Sequence, residues 1–208
     1  PQEKIPSIKR SAAPALSVVT YEEPRNLDAA IAQTNKYRGI PSPEIDAAWT
    51  KIGLGTPAIR LFDDDVKKLN KSDEPMRPLH RIPEEFGGGF LGMLEVFHLL
   101  HCLDSLRKAS YKEYYMQEWV DVGEGAKRIH DDHCIDMLRE YIMCTADVTP
   151  ITFYDTLAFP SRKLPMPDFS TRHTCRDFVA ILEWNEDNER SILWDGIGLD
   201  LGEKTAID

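Results

Sequence analysis

The feature that most constrains this chain is a five-residue motif, His-x-x-His-Cys, which occurs at residues 98–102 and again at residues 130–134. The two copies continue to match after the cysteine, with Asp, Leu and Arg at equivalent places 32 residues apart. Histidines three residues apart share a face on a helix, where their β-carbons are about 5 to 6 Å apart. The repeat therefore predicts two helices that carry the same side chains, as two halves of one site would.

Both motifs lie in long segments with helical periodicity. Residues 90–115 contain no proline and, after the first turn, no glycine, and they are apolar on nearly every side until Asp104. This is the pattern of a helix buried inside a domain. Gly123 and Gly125 then interrupt the chain before a second helix at residues 126–146. We expect two long, buried helices at the centre of the fold.

The remaining segments predict shorter elements. Ser42 is placed to cap a helix over residues 43–52, and three successive acidic residues favour the start of a short helix over residues 63–69. Proline spacing and β-forming residues predict the other elements: an extended arm at 1–25 with a strand at 16–21, a strand at 151–159 and a last helix at 173–184.

The size and charge of the chain limit both its fold and its partners. At 208 residues it suits one domain with a substantial core. We predict a mainly α fold: a single domain over residues 1–208, built on the two motif helices with a few short β-strands, and a metal-binding core at residues 90–184. The 25 basic and 35 acidic side chains give a net charge of −10, which argues against a nucleic-acid partner because phosphate binding needs clustered basic residues.

Several features bear on the cellular compartment. No apolar run reaches the roughly 18 residues of a membrane-spanning helix, and the chain starts at Pro1, so a signal or anchor could have preceded it. The segment 70–72 reads Asn-Lys-Ser, which makes Asn70 a candidate glycosylation site. Four cysteines suit either two disulfides in an oxidising compartment or metal thiolates in a reducing one.

A metal site is predicted from the four histidines of the motifs: His98, His101, His130 and His133. One such pair is also common in ordinary protein cores, but two pairs with matching flanks favour metal binding. Four imidazoles without a facing carboxylate suit copper or zinc, whereas non-haem iron uses two histidines and a carboxylate. Asp131 and Asp132 are expected to point away, since they lie about 100° and 200° around the helix from His130. Copper is preferred because it binds nitrogen more tightly than zinc and is redox-active.

The cysteines leave several interpretations open. Cys102 and Cys134 could bind the metal as thiolates, form a disulfide with each other across the helix pair, or pack as small buried apolar residues. Cys144 lies 11 residues beyond His133, which is about 16 Å along a helix and too far to share the ion. Cys144 and Cys175 are therefore candidates for a disulfide between the second motif helix and the last helix.

Other polar residues are assigned more ordinary roles. His173 could supply a further ligand or a contact behind the ligands, although capping or hydrogen bonding is the simpler interpretation. His80 lies between prolines in a polar loop and is expected at the surface. Arg107 and Arg139 occupy equivalent places and are expected to pair with carboxylates, holding the two helices in register. The sequence contains no nucleophile elbow, phosphate loop or dinucleotide fingerprint, so hydrolysis, phosphoryl transfer and NAD chemistry have no support.

The pair of motifs resembles the signature of the UstYa-like family of fungal secondary-metabolite proteins. The resemblance covers residues 90–184 well and the N-terminal third poorly. Beyond the motifs it runs through four segments: 133–139, 143–144, 147–150 and 173–178. Two residues depart from the usual pattern, Asp104 where an Asn is common and Glu140 where a Gln is common.

The resemblance implies a copper-dependent oxidoreductase that uses dioxygen on a peptide or small-molecule intermediate, by oxidative cyclisation, hydroxylation, desaturation or chlorination. Members usually carry one N-terminal membrane helix, so this sequence resembles a lumenal domain of the secretory pathway without its anchor. Two other interpretations stay open: a protein whose metal only clamps the helices, and a partner subunit that shapes another oxidase. The site could close within one chain or across a homo- or hetero-oligomer.

Overall fold

The computed structural model describes residues 13–27, 35–71, 79–154 and 166–194, which form six α-helices and seven short strands. The helices are α1 (Pro43–Ile52), α2 (Asp63–Lys68), α3 (Glu95–Ala109), α4 (Met116–Val122), α5 (Glu124–Thr145) and α6 (Phe178–Glu186). The strands are β1 (Arg25–Asn26), β2 (Ala58–Leu61), β3 (Phe90–Gly92), β4 (Thr152–Tyr154), β5 (Met166–Asp168), β6 (Arg172–His173) and β7 (Ser191–Ile192). Helix outweighs strand, but the architecture is mixed and has more strands than the sequence predicts.

The helices before the first motif form where their N-terminal residues predict them. The Ser42 hydroxyl accepts a hydrogen bond from the backbone N–H of Ile45 at 3.4 Å, and Pro43 opens α1. The side chain of Asp65 accepts a bond from the N–H of Phe62 at 2.9 Å at the start of α2. Both helices are confirmed to within one residue of their predicted bounds.

The first motif helix, α3, is shorter than the sequence predicts. Residues Phe90–Gly92 form β3, which pairs antiparallel with β2, and the helix begins only at Glu95. Three glycines just before this strand adopt positive φ, including 86° at Gly89, and they turn the chain back beside β2. The apolar residues at the start of the predicted helix therefore belong to a sheet. The glycine turn brings them beside β2, and the periodicity of the sequence does not reveal that pairing.

The second motif helix, α5, lies close to its predicted bounds. Gly123 alone separates it from α4, and its φ of 89° allows the sharp change of direction. The expectation that both motif helices are buried is wrong for α5, because residues 139–148 are all exposed. Three of its 22 residues are buried: Lys127, Asp131 and Cys134.

The predicted N-terminal strand at 16–21 is wrong. Pro14–Val18 form a 3₁₀-helix, for which the fixed φ of proline is suited at the first position, and Tyr21 makes a single bridge with Arg176. Residues 1–12 of the predicted extended arm lie outside the described residues. The strand predicted at 151–159 is β4, and residues 155–159 likewise lie outside the described ranges.

The last helix begins later than predicted. His173 lies in β6, and Asp177 caps α6 by accepting a hydrogen bond from the N–H of Ala180 at 3.0 Å. The cap fixes the start of the helix at Phe178, since a side chain that bonds to the backbone three residues later marks an N-terminus.

Ala58 and Ile192 of the three-stranded sheet, whose order is β3-β2-β7, form a small apolar core with Ile82. A separate set of polar contacts joins α3 to α1. Arg107 of α3 donates to Asp46 of α1 at 2.7 Å and to the Tyr115 hydroxyl at 2.8 Å, and that hydroxyl donates to Asp46 at 2.5 Å. Arg107 therefore pairs with a carboxylate as predicted, but it joins α3 to α1 and not to α5.

Within the described ranges, none of the helices has the length and apolar character needed to cross a bilayer.

Candidate metal centre

The two motif helices run antiparallel, so each histidine of one helix faces a histidine of the other. The ring centroids of His98 and His133 are 5.8 Å apart, and those of His101 and His130 are 5.4 Å apart. In the repeat, His98 is equivalent to His130, and His101 is equivalent to His133. The pair His98–His133 is therefore equivalent to the pair His130–His101. The duplicated motif thus produces a site with local two-fold symmetry.

The two pairs differ in their access to solvent. His98 keeps 32% of its side chain exposed and His133 is also exposed, and we call them the outer pair. His101 and His130 form the inner pair, and Nε2 of His101 is buried with no hydrogen-bond partner in the described part of the chain. Burial, followed by the charges that His130 and His98 can carry, lowers the pKa of His101 to about 4. This imidazole is therefore neutral near pH 7 and keeps a lone pair for a ligand.

The motif cysteines are completely buried between the helices. Each Sγ lies 3.8 Å from Nε2 of the first histidine of its own motif, Cys102 from His98 and Cys134 from His130. Burial raises the pKa of both thiols, that of Cys134 to about 12, and the two thiols interact across the helix pair. Both are free thiols in the structure. In the protein without a metal, burial therefore keeps both thiols protonated.

A buried polar cluster, which the sequence did not predict, lies beside His130. Ser105 of α3 lies 3.4 Å from Nδ1 of His130 and donates to Asp131 of α5 at 3.0 Å. Lys127 donates to Ser105 at 3.1 Å and also to Asp131. The expectation that Asp131 points away from the site is therefore wrong, because it faces α3, whereas Asp132 is exposed and pairs with Arg128. The spacing of Lys127, Asp131 and Cys134 on one helical face was the available signal.

Both acidic departures from the family pattern are paired with the arginines of the repeat. Asp104 accepts a hydrogen bond from Arg107 at 2.7 Å. Glu140 accepts one from Arg139, which also pairs with Asp136 at 2.7 Å. The prediction that both arginines bind carboxylates is confirmed, but the contacts of Arg139 stay within α5 and do not set the register of the two helices.

The other predicted residues lie apart from the histidine pairs. His173 contacts Asp147, just after α5, at 3.1 Å and Thr171 at 2.9 Å, so its observed contacts join β6 to the end of α5. Cys144 is exposed and Cys175 is partly buried, both as free thiols, and their disulfide stays a prediction.

Two expected surface residues are exposed. His80 lies in a loop, as predicted. Asn70 is exposed just after α2 with a φ of 53°, and Ser72 of its acceptor motif lies outside the described residues. Glycosylation of Asn70 stays a prediction.

The facing histidines suit a metal ion chemically, although they do not form a closed cage. With metal–nitrogen distances of about 2.0 Å, two imidazoles on one ion at the tetrahedral angle have centroids about 5 Å apart, close to the 5.4 and 5.8 Å found here. Among the described residues, no three His, Cys, Asp or Glu side chains are already arranged to hold an ion. An ion would have to draw the two pairs together, starting from the unpartnered nitrogen of His101.

Comparison with known proteins identifies the family. Residues 3–188 match the family model described as "Mycotoxin biosynthesis protein UstYa". The chain belongs to the UstYa family. The match extends beyond the core at 90–184 into the N-terminal third, where the motif-based resemblance is poor. No solved structure matches this UstYa-family protein.

Several curated relatives are similar over most of this chain. UstYa family oxidase phomYc of Diaporthe leptostromiformis is 37% identical over 74% of this chain and 59% of its own length. UstYa family oxidase aprY of Aspergillus flavus is 31% identical over 84% of this chain and 53% of its own. Transacylase cctO of Talaromyces islandicus is 29% identical, with coverages of 89% and 63%. This UstYa-family protein thus spans a little over half the length of the curated relatives it matches.

Proposed function

We propose that this protein is a copper-dependent oxidoreductase of fungal natural-product biosynthesis, which uses dioxygen to functionalise C–H bonds of a peptide or small-molecule intermediate. The observation that carries the proposal is the two-fold arrangement of two facing histidine pairs on α3 and α5. Relatives named as UstYa family oxidases support an oxidative role. The proposed ligands are His98, His101, His130 and His133.

The donor set favours copper over the alternatives. The ligand candidates are four imidazoles, and the buried carboxylate nearest to them, Asp131, is engaged by Ser105 and Lys127. Iron sites of the two-histidine, one-carboxylate type need a carboxylate on the ion. Asp131 does not offer one here, and Glu95, 3.8 Å from Nδ1 of His98, keeps 60% of its side chain exposed to solvent. When bound, copper supplies the one-electron redox chemistry toward dioxygen that a side-chain cluster of this kind lacks.

The two pairs have different roles in this proposal. In the inner pair, Nε2 of His101 is buried. Gly53, which follows the last residue of α1, packs against the backbone of His101, because a β-carbon there would lie 3.6 Å from its nitrogen. The outer pair, His98 and His133, faces solvent and marks the side from which dioxygen and substrate approach. Glu95, 3.8 Å from Nδ1 of His98, lies on this open side and can accept a proton or hydrogen bond from a substrate.

We further propose a lumenal location in the secretory pathway, with the protein held by an N-terminal membrane anchor. The Cys144–Cys175 disulfide and glycosylation at Asn70 belong to this proposal, since both modifications require that compartment. The proposal also allows this protein to form homo- or hetero-oligomers, since the outer pair is open to solvent.

The name of the relative cctO raises acyl transfer as a different activity. Ser105 is the serine nearest to His130, and it would be the nucleophile in such a reaction. Its side chain is buried, and its hydroxyl proton is donated to Asp131 at 3.0 Å. A nucleophile must reach its substrate and pass its proton to a base. The geometry of this cluster therefore argues against Ser105 as the nucleophile of an acyl transfer.

A second candidate function is a structural clamp, in which the metal only joins two helices. It is favoured by the position of the histidines, which lie on the packed faces of α3 and α5. A clamp needs no exposed ligand, whereas the outer pair is exposed. Zinc would serve a clamp as well as copper does, which gives a direct way to separate the two functions.

The test compares metals and variants on the same protein. Metal-free protein is reconstituted with copper or zinc and incubated, with and without dioxygen, with the intermediate that accumulates in a fungal strain lacking this protein. Mass spectrometry distinguishes loss of two hydrogens, gain of one oxygen and replacement of hydrogen by chlorine. We expect turnover with copper and dioxygen only, and nitrogen hyperfine coupling from several imidazoles in the electron paramagnetic resonance spectrum.

The control is His80→Ala, since His80 is exposed in a loop away from the pairs. His98→Ala, His101→Ala, His130→Ala and His133→Ala should each lose most of the copper and nearly all turnover, whereas His80→Ala should keep both. Equal turnover with zinc, or full copper content in a His130→Ala variant, would contradict the proposal.

A further inference from the structure

The cluster of Ser105, Lys127 and Asp131 is unusual because three polar side chains are buried together between α3 and α5. Their exposed fractions are 6%, 7% and 4%. Burying an ammonium and a carboxylate is costly unless both are paired and hydrogen-bonded, and here Lys127 and Asp131 pair directly while Ser105 joins both. Lys127 also lies over the Trp119 ring, 4.8 Å from its centroid, and Ser105 lies 3.4 Å from Nδ1 of His130.

The donors and acceptors of this cluster determine which nitrogen of His130 carries the proton. A serine hydroxyl has one hydrogen to donate and two lone pairs to accept. Ser105 gives its hydrogen to Asp131 and accepts one from Lys127, which has no acceptor of its own. The capacity that remains on Ser105 is one lone pair. Nδ1 of His130 can therefore only donate to it, which leaves the lone pair of the ring on Nε2.

The equivalent half of the site lacks this arrangement. Subtracting 32 from Lys127 and Asp131 gives Glu95 and Leu99, and adding 32 to Ser105 gives Met137. Nδ1 of His98 instead faces Glu95 at 3.8 Å, beyond hydrogen-bond distance, and 60% of that glutamate side chain is exposed. The two halves of the site thus have equivalent histidines, but the side chains that contact Nδ1 of those histidines differ.

We propose that Ser105, Asp131 and Lys127 are positioning residues that hold His130 with its proton on Nδ1 and its lone pair on Nε2, the nitrogen that lies 3.8 Å from the Cys134 thiol and is left to bind a metal, so that His130 is the anchored ligand of the four. The inference rests on the proposed function only where it assigns Nε2 to a metal. The tautomer of His130 is a property of the metal-free protein. His98, without such support, is the ligand free to adjust.

The first measurement is the tautomer of His130 in metal-free protein, read from long-range nitrogen–proton correlations of ¹⁵N-histidine-labelled samples at about pH 8, where an ordinary imidazole is neutral. We expect the Nδ1–H form in the wild-type protein and a change toward the Nε2–H form in Ser105→Ala. Ser105→Thr keeps the hydroxyl and should restore the wild-type signal. Glu95→Gln, at the repeat equivalent of Lys127, should leave His130 unchanged.

Removing charge from the cluster needs a paired variant, because Asp131→Asn alone would leave Lys127 buried without its counter-ion. The double variant Lys127→Met, Asp131→Asn removes both charges together, and the dispersion of its amide spectrum shows whether it is folded. If folded, it should show mixed His130 tautomers. An Nε2–H form in the wild-type protein, or an unchanged His130 in Ser105→Ala, would overturn the inference.

The second measurement is the copper(II) affinity by competition with a chromophoric chelator. Loss of a hydrogen bond behind a metal-binding histidine typically weakens binding about 10- to 100-fold. We expect a loss of that size in Ser105→Ala but less than about twofold in Asp132→Asn, whose exposed carboxylate pairs with Arg128. Wild-type protein that shows the Nδ1–H tautomer but binds no copper would refute the proposed function and leave the positioning role intact. Copper affinity and tautomer that are both indifferent to Ser105 would refute the positioning role alone.

Discussion

Replacing His101 by glutamine should make the metal-free protein less sensitive to mild acid. His101 is held neutral by burial and neighbouring histidines, with a pKa of about 4 in the folded protein against 6.5 for an ordinary histidine. Between these values the unfolded chain binds a proton on this ring that the folded protein does not. The free energy of unfolding therefore falls as the pH is lowered from about 6.5 to about 4, and this contribution then levels off.

The size of the effect follows from the two pKa values. The difference from 6.5 to about 4 corresponds to about 3 kcal/mol when fully developed, and to about 2 kcal/mol between about pH 7 and pH 4.5. The carboxylates of α1 and α2 affect the free energy of unfolding in a different pH range. The pKa values of Asp46 and Asp65 are lowered from 3.8, so their contribution is present above about pH 4 and is lost below it.

Urea unfolding followed by circular dichroism measures the effect at several pH values. Metal-free wild-type protein and His80→Gln should each lose about 2 kcal/mol more than His101→Gln between about pH 7 and pH 4.5. His80 is a suitable control because its side chain is exposed in a loop. If all three proteins lose stability equally, His101 does not lie in the folded protein as a buried neutral imidazole, and the argument that it offers an unpartnered lone pair fails.

Three further predictions use the same preparation. Asp46→Asn should lower the free energy of unfolding by about 1 to 2 kcal/mol, because it weakens a largely buried charged pair, whereas Asp132→Asn on exposed α5 should change it by less than about 0.5 kcal/mol. Gly123→Ala should cost more than about 1 kcal/mol through its backbone conformation alone, since no described residue lies within 4 Å of a β-carbon at that position; an unchanged midpoint would contradict this. Non-reducing peptide mapping of protein secreted by a eukaryotic host should find Cys144 linked to Cys175, and alkylation of both as free thiols would contradict it.

Local signals predicted the parts of the fold that local physics decides. Ser42 and Pro43 fixed the start of α1, because a cap acts on backbone groups only three residues away. The repeat placed two histidines on one face of each motif helix. The start of α3 could not be predicted in the same way, since Phe90–Gly92 become a strand only because β2 lies beside them. Tertiary pairing overrode the helical periodicity there.

The candidate site was predictable in composition but not in its supporting contacts. Which histidine faces which depends on the direction and rotation of α5 against α3, and this is settled by packing over the whole interface. Asp131 shows the limit clearly. Its angle around the helix excluded it from the face of His130, yet the interface with α3 is wide enough to bury it against Ser105. A face about 100° away from the ligands can still be an interior face when the partner helix covers both.

Because α3 and α5 pack antiparallel, the geometry of the site does not depend on the length of the chain that connects them. Facing rings come from different helices, so the register of the helices positions them and the 32-residue interval does not. Doubling the length of a flexible loop costs only about 0.6 kcal/mol in closure entropy, so insertions in the largely exposed segment 110–114, ahead of the buried Tyr115, should be tolerated during evolution. A one-residue deletion inside either helix turns the following histidines by about 100° and separates them from their partners. Loop length can therefore drift among homologues while the three-residue spacing within each motif cannot.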